Sequence, residues 1–266
     1  MTDFSTLGRS VPARLGTTAR LDGDDLVIGL RPTAEMLHHG VLRASVLTFV
    51  IDAVAGIAVD TDPDSWSFTT DLSMRMRPVP TPAHVEGRST VVRRGGRSVT
   101  CASEVVDDGD GSLASGLLGF RRIPRREGDP PKPRVTSADA VRLFSGRTDL
   151  PRPFREEAGI EVVDPAAGVV QAEVTAELRN SAGTMQGAMV ALVAEAAVED
   201  LAEARAGGPM VVTELDVRYL ARTSEGPVRS RCAPLDDRPG TPARVELVDR
   251  AADRVTAVVL ARAEPV

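Results

Sequence analysis

The sequence predicts an α+β protein made of two fused copies of one unit, each with a long central helix wrapped by a curved antiparallel sheet of about five strands. Three observations predict this fold. The chain has 266 residues, enough for two units that each bury a core. The same order of strand-like and helix-like segments occurs twice. Both long helices are apolar on nearly every side, which is typical of helices buried beneath a sheet.

The first copy begins with a strand-like stretch at 25–30 that leads into a turn containing His38, His39 and Gly40. A long apolar segment follows and reaches about Val59, which predicts the first helix. Four β-rich segments separated by Gly, Pro or Asp then follow, at about 66–77, 83–93, 96–107 and 112–122.

The second copy begins with a strand at 168–174, and Gln186 and Gly187 open a helix that reaches about Ala206. Four strands are expected after it, at about 210–221, 226–233, 242–249 and 254–263. A shift of 147 positions (187 minus 40) places Gly187 on Gly40. The same shift pairs Gln186 with His39, Glu195 with Thr48, and Glu199 with Asp52.

The two units are expected at 1–122 and 154–266, joined by a linker at 123–153. The linker region contains six prolines and many charges, which favours a semi-extended segment with few core residues. One or two helical turns are expected near 138–144. Two basic pairs, Arg121-Arg122 and Arg125-Arg126, lie at its start, and they fit either a solvated surface or a phosphate-binding patch.

Composition excludes several classes of function. The net charge is -6 and the arginines are scattered, which argues against nucleic-acid binding. The two cysteines, Cys101 and Cys232, form neither a disulfide framework nor a metal-ligand spacing. The longest apolar run, Val46 to Val59, is short for a membrane span and contains Asp52, and the N-terminus lacks a signal-peptide pattern. A cytoplasmic protein without a membrane partner is expected.

The segment from Asn180 to Ala188, followed by Glu195, resembles the hotdog thioesterases of the phenylacetate-degradation (PaaI-like) type. Their pattern is Asn, two residues, Gly, two residues, His-Gly-Gly, and then an acidic residue on the helix. The first copy resembles the family in its helix core at 51–58, its following strand at 70–78 and the hairpin after it. This resemblance implies a tandem (double) hotdog fold and an acyl-CoA thioesterase. Gln186 replaces the histidine of the pattern, and Ala188 replaces a glycine.

Thioester hydrolysis needs a donor for the developing oxyanion and a group that activates water. Gly40 and Gly187, each expected to open a helix, are the candidate oxyanion sites. Asp52 and Glu195 are the candidate catalytic carboxylates, acting on water or through a transient anhydride, because an acidic residue in an apolar helix commonly has a functional role. Glu199 lies one turn after Glu195, on the same face.

In the family that the resemblance implies, each site lies between two units. One site would join His39 and Gly40 with Glu195. The other would join Asn180, Gln186 and Gly187 with Asp52 or Thr48, and the sequence does not rank the two. The residues expected to bind substrate are His39, Asn180, Gln186, Thr48 and Glu199.

No cofactor is expected, because a thioester is already activated. No metal is expected, because His38 and His39 would point in different directions on a regular element. Two other functions stay open: a non-catalytic acyl-CoA binding protein, and a hotdog-type dehydratase or hydratase of acyl thioesters. The separation of 14 positions between His38 and Asp52 resembles the spacing of the histidine and the acidic residue in the fatty-acid dehydratase branch. The expected partner is an acyl-CoA substrate. A homodimer is possible by analogy with related folds, which often pair through their sheet edges.

Overall fold

The computed structural model describes residues 10–109, 111–129, 132, 136–144 and 146–266. The helices are α1 (Ala44–Val59), α2 (Ser137–Leu143), α3 (Phe154–Glu157) and α4 (Gly187–Ala206). The strands of the first half are β1 (Thr18–Asp22), β2 (Asp25–Leu30), β3 (Leu37–His38), β4 (Val41–Leu42), β5 (Ser65–Met76), β6 (Val85–Arg94), β7 (Ser98–Asp107) and β8 (Ser112–Pro124). Those of the second half are β9 (Glu161–Asp164), β10 (Val169–Ala172), β11 (Met210–Tyr219), β12 (Val228–Pro234), β13 (Ala243–Asp249) and β14 (Arg254–Pro265).

Twelve of the strands form one antiparallel sheet in the order β1-β2-β6-β7-β8-β5-β11-β14-β13-β12-β10-β9. The predicted α+β class is confirmed, and the two long helices and the ten larger strands lie close to their predicted positions. Each half contributes six strands rather than about five, because β1 and β9 add a short strand at either edge. These two edge strands carry many charged and exposed residues, so their sequences lack a strong strand pattern.

Strands β5 and β11 join the two halves at the centre of the sheet. Their pairing places Arg75 opposite Glu214 and Asp71 opposite Arg218. Arg75 also donates two hydrogen bonds to the carboxylate of Asp216, at 2.8 and 3.0 Å. The halves therefore share a continuous backbone hydrogen-bond network.

The core lies between this sheet and the two long helices, which also contact each other. Val46, Leu47, Val50 and Ile51 of α1 have no exposed surface, and much of α4 is equally buried. Burial on several faces explains the apolar sequences of both helices. It also brings the start of each helix close to the middle of the other.

The two halves repeat with a spacing of 143 residues, so the predicted shift of 147 is wrong. Helix α1 begins at Ala44 and α4 at Gly187, and 187 minus 44 is 143. The same spacing relates β1 to β9 and β2 to β10. Two pairs of glycines with positive φ also follow it: Gly16 (71°) with Gly159 (66°), and Gly40 (79°) with Gly183 (76°).

The corrected spacing changes which residues correspond. Asp52 corresponds to Glu195, and the residue before α4, Gln186, corresponds to Arg43 before α1. The prediction that Gly40 opens α1 is also wrong, because this glycine lies in the turn between β3 and β4. The error of four residues is about one helical turn, so the wrong alignment still matched similar faces of the two helices.

Part of the predicted linker packs against the first half. Helix α2 lies against β1, and Ala140 and Leu150 are buried. The ammonium of Lys132 bonds Asp60 Oδ1 at 2.7 Å and the carbonyl of Ser65 at 2.7 Å. These contacts fix the segment beside α1 instead of leaving it extended in solvent.

Within the part of the chain that is described, none of the helices has the length and apolar character needed to cross a lipid bilayer.

Candidate active site

A cavity of about 1470 Å³ lies between the middle of α1, the start of α4 and the packed linker. Its apolar walls include Phe49, Ile57, Phe120, Phe144 and Val190. Four of the predicted catalytic and substrate-binding residues also line it, namely Asp52, Asn180, Gln186 and Gly187, as do Arg121 and Arg122 of the predicted basic pairs. The structure therefore brings together the second of the two expected sites.

Asp52 projects from α1 into this cavity. Its Oδ1 accepts a hydrogen bond of 2.7 Å from the hydroxyl of Thr69 on β5. Its Oδ2 lies 3.4 Å from Nε2 of Gln186. No arginine, lysine or histidine pairs with it among the described residues. Burial raises the pKa of Asp52 to about 6, and the Thr69 hydrogen bond opposes that rise.

The start of α4 forms the opposite wall. Oε1 of Gln186 caps the helix by accepting hydrogen bonds from the N–H groups of Ala188, at 2.6 Å, and Met189, at 3.3 Å. The N–H of Gly187, the first of the helix, has no acceptor among the described residues. The hydroxyl of Tyr219 donates a 3.0 Å hydrogen bond to the carbonyl of Gly187. The positive end of the helix dipole and a free donor thus lie beside Asp52.

Asn180 shapes the loop that precedes this helix. Its side-chain oxygen accepts hydrogen bonds from the N–H groups of Ala182, at 3.0 Å, and Thr184, at 3.3 Å. Its own backbone N–H bonds the carbonyl of Thr184 at 2.8 Å. Asn180 therefore holds the turn that presents Gln186 and Gly187 to the cavity.

The equivalent position in the other half is closed. Glu195 is 1% exposed, and its Oε2 accepts hydrogen bonds from the hydroxyl and the backbone N–H of Ser45. Nη1 of Arg43 lies 2.7 Å from Glu199 Oε2 and 3.8 Å from Glu195 Oε2. Burial and the neighbouring Glu199 raise the pKa of Glu195 to about 7, with Arg43 opposing. None of these residues lines the cavity.

The remaining residues of the first expected site are separated from the cavity. Thr48 is fully buried within α1, and Gly40 is exposed in the β3–β4 turn. His39 bonds Glu203 Oε1 through Nε2 at 2.7 Å. The structure therefore does not bring His39 and Gly40 together with Glu195 around an open pocket.

Arginines surround the rim of the cavity. Six of them form no ion pair with a carboxylate among the described residues: Arg97, Arg121, Arg122, Arg147, Arg179 and Arg222, of which Arg179 bonds the carbonyls of Val174 and Ser224. The Nε of Arg122 is buried and lacks a hydrogen-bond partner, and the guanidinium of Arg222 lies 5.1 Å from the ring centre of Phe68. Arg14, by contrast, is paired with Glu157 and Glu177. The unpaired set gives the entrance a positive field.

Sequence reasoning missed Thr69 and Tyr219, the two hydroxyl residues that hold the site. Tyr219 is the only tyrosine in the chain and stands at the end of β11. Burial raises its pKa well above the ordinary value, so the hydroxyl keeps its proton and donates. Neither residue belongs to a recognisable motif: Thr69 lies 17 residues after Asp52 and Tyr219 lies 32 residues after Gly187, each on the strand that follows the helix.

No protein-family model matches the chain, and no curated protein matches it in sequence. Solved structures do match in fold, at low sequence identity. The tesB protein of Mycobacterium avium subs paratuberculosis has a TM-score of 0.66 and 11% identity, and the match covers 96% of this chain and 98% of that one. The 12:0-ACP thioesterase from Umbellularia californica has a TM-score of 0.62 and 12% identity, with 93% and 100% covered.

An acyl-ACP thioesterase from Bacteroides thetaiotaomicron matches with a TM-score of 0.57 and 12% identity, covering 90% of this chain and 97% of that one. All three matches extend over nearly the whole of both chains. The architecture of this chain is therefore that of thioesterases of its own length, which confirms the hotdog fold. None of the three is named as PaaI-like, so this comparison supports the fold in general and not that branch.

Proposed function

We propose that this chain is a thioester hydrolase that converts an acyl-CoA to the free acid and CoA in the cavity beside Asp52. The observation that carries the proposal is the placement of Asp52, a carboxylate without a cationic partner among the described residues, next to the first N–H group of α4. The fold shared with thioesterases supports the same reaction class.

We also propose that the chain is two fused units, 1–122 and 154–266, with 123–153 as a connector. The spacing of 143 residues between corresponding strands and helix starts supports this division. In this arrangement α1 of one unit supplies the carboxylate and α4 of the other supplies the oxyanion site. The equivalent site around Glu195 is proposed to be inactive, because Arg43 and Ser45 occupy it.

In the proposed reaction Asp52 accepts a proton from a water molecule, and the oxygen of that water attacks the thioester carbonyl carbon. The carbonyl oxygen becomes an oxyanion that accepts a hydrogen bond from the N–H of Gly187 at the positive end of the α4 dipole. Collapse of this intermediate breaks the C–S bond, and the CoA thiolate leaves and takes up the proton. The products are a carboxylic acid and free thiol, with no redox change.

Gln186 stands where the PaaI-like pattern has a histidine, and this replacement changes the acid–base chemistry available at the site. The amide has no proton that is transferred near neutral pH, so Gln186 does not act as acid or base. Its oxygen caps α4, while Nε2 faces Asp52. We propose that Gln186 orients Asp52 and the helix start, and that the carboxylate alone accepts the proton.

The unpaired rim arginines support CoA as the carrier of the acyl group. CoA has a 3′-phosphate and a diphosphate, and guanidinium groups bind phosphate oxygens with two parallel hydrogen bonds. The buried, unpartnered Nε of Arg122 is a donor that a phosphate oxygen would satisfy. The apolar wall formed by Phe49, Phe120 and Phe144 suits an acyl chain.

The main experiment measures thiol release from a panel of acyl-CoA esters with a thiol-reactive dye. Asp52→Asn should lower kcat/KM by about 10²–10⁴-fold, the range for losing a general base. Glu195→Gln is the matched control, because it makes the same change at the corresponding position of the closed site, and it should change kcat/KM by less than threefold (roughly 0.7 kcal/mol). A larger effect of Glu195→Gln than of Asp52→Asn would contradict the assignment.

The same panel distinguishes the other functions. A dehydratase would change the absorbance of an enoyl or 3-hydroxyacyl-CoA without releasing thiol. A binding protein would retain acyl-CoA in equilibrium dialysis and release no thiol with any member of the panel. Either result would exclude the proposed hydrolysis.

The choice of carrier is tested by comparing acyl-CoA with the same acyl group on pantetheine, which lacks all the phosphates. Arg122→Ala and Arg222→Ala should raise KM for the CoA ester at low ionic strength and leave kcat/KM for the pantetheine ester unchanged. Preference for an acylated carrier protein over the CoA ester would instead identify the rim as a protein-docking surface.

A further inference from the structure

His38, His39 and Glu203 form a cluster outside the cavity, because none of the three lines it. Nε2 of His38 lies 2.9 Å from Glu203 Oε1, and Nε2 of His39 lies 2.7 Å from the same oxygen. One donor atom from each residue falls within 4.8 Å of the others. The cluster links the turn between β3 and β4 with the second-half helix α4.

The backbone makes this convergence of two adjacent histidines feasible. Side chains at successive positions of a regular strand point to opposite faces, so the sequence alone indicated that the two imidazoles would not bind the same metal ion. His38 ends β3, however, and His39 has a φ of 48°, in the left-handed region that residues other than glycine rarely adopt. The ring centroids are consequently only 4.2 Å apart. A strained conformation that aligns two imidazoles marks a place where the surrounding structure holds them together.

The charges around the cluster favour a cation. Glu195, Glu199 and Glu203 are spaced four apart on one face of α4, and the guanidinium of Arg43 contacts the first two of them. Arg155, which also faces this region, is bonded to both carboxylate oxygens of Asp200. The carboxylate groups therefore outnumber the guanidinium groups in this largely buried region.

Two oxygen atoms of this acidic row also lack partners. Oε1 of Glu195 and Oε1 of Glu199 are buried and accept no hydrogen bond among the described residues. Glu199 Oε2 lies 3.6 Å from His38 Nε2, so the row continues up to the histidines. Buried carboxylates of this kind are stabilised by a positive charge close by.

We propose that His38 Nε2, His39 Nε2 and the carboxylate of Glu203 bind a divalent transition-metal ion of the Zn²⁺ class. Two imidazoles and a carboxylate are a zinc donor set, and hard cations such as Mg²⁺ prefer oxygen ligands. Ligand atoms around tetrahedral zinc lie about 3.3 Å apart, so a small outward movement from the present contacts admits the ion. Bound metal would fasten the β3–β4 turn of the first half to α4 of the second.

The test uses the full chain without an affinity tag, freed of metal with a chelator. Titration calorimetry with ZnCl₂ should show one ion bound per chain, and zinc should raise the thermal midpoint by several degrees. His38→Ala, His39→Ala and Glu203→Gln should each weaken zinc binding by about tenfold or more. His84→Ala, which removes the only other histidine of the chain, is the matched control and should bind zinc like the wild type.

Three results would overturn the metal site: no zinc binding by the wild type, unchanged binding by the His38→Ala/His39→Ala double variant, or equal stabilisation by Mg²⁺. Circular dichroism of each variant establishes that it is folded, and Glu203→Gln provides a test that keeps both imidazoles. Thiol release is measured on the same samples with and without chelator. The proposed hydrolysis uses none of these residues, so activity without metal separates failure of one proposal from failure of the other.

Discussion

Asp52 and Gly187 face each other across the boundary between the two halves of the chain. A Cβ atom added to Gly187 would lie 3.6 Å from Oδ2 of Asp52 and 3.2 Å from the hydroxyl oxygen of Tyr219. The absence of a side chain at this position therefore keeps open the space in which a thioester carbonyl would meet both the carboxylate and the helix N–H.

Gly187→Ala is expected to lower kcat/KM by about 10²-fold, the usual effect of disturbing one oxyanion donor. The added methyl group crowds Tyr219 and fills the space beside Asp52. Gly208→Ala is the control, because a Cβ there meets no atom within 4 Å. Thiol release by both variants is the measurement, and full activity of Gly187→Ala would argue against an oxyanion site at this helix start.

The pH dependence of kcat/KM should follow the ionisation of Asp52. Since the base must be unprotonated, activity is expected to rise with pH and level off above the Asp52 pKa of about 6. Thr69 stabilises the carboxylate and lowers this pKa, so Thr69→Val should move the acidic limb of the profile to higher pH. A profile of kcat/KM from pH 4.5 to 9 for both proteins tests this, and a limb that stays in place would show that another group controls it.

Asp52 should also weaken the fold at neutral pH. Its pKa is raised in the folded state from 3.8 to about 6, so the folded chain holds the proton more tightly than the unfolded chain. The folded state therefore loses stability as pH rises from about 4 to 6. Asp52→Asn should raise the free energy of unfolding at pH 8 by about 1–3 kcal/mol, and much less at pH 4. Urea unfolding at both pH values measures the difference.

If Asp52→Asn leaves the free energy of unfolding at pH 8 unchanged or lowers it, the carboxylate is better solvated or paired than its contacts with Thr69 and Gln186 indicate. If Asp52→Asn raises the stability at pH 8 and also abolishes thiol release, the Asp52 carboxylate lowers the stability of the fold but is required for activity.

The sequence pattern was sufficient for the main elements, because both long helices and the larger strands have clear hydrophobic periodicity. The pattern was insufficient to determine which residues of the two copies correspond. Gly40 and Gly187 both precede apolar helical segments, and matching them gave a shift that was wrong by one helical turn. The true equivalent of Gly40 is Gly183, which shares its positive φ. Backbone conformation, which determines this equivalence, is not visible in residue types alone.

Which of the two expected sites is open also depends on Arg43, a residue that belongs to no recognisable sequence motif. Arg43 occupies the position before α1 that corresponds to Gln186 before α4, and its guanidinium reaches Glu199 and Glu195. The sequence alone does not specify that this arginine is 5% exposed and directed inward. Once it is placed there, the site around Glu195 is filled, and the site around Asp52 is left open.

Arg43→Met gives the last prediction, because it removes that buried positive charge while keeping much of the side-chain volume. Glu199 would be left buried without its 2.7 Å partner, so the free energy of unfolding at pH 7 should fall by about 3–5 kcal/mol. Arg75→Met is the control: this arginine is paired with Asp216 but has a half-exposed side chain, so its loss should change stability by about 1 kcal/mol or less. Urea unfolding measures both effects. Thiol release by Arg43→Met at low temperature, where the variant stays folded, should be retained, because Arg43 acts in the closed site; loss of activity in a folded variant would place Arg43 in the catalytic machinery instead.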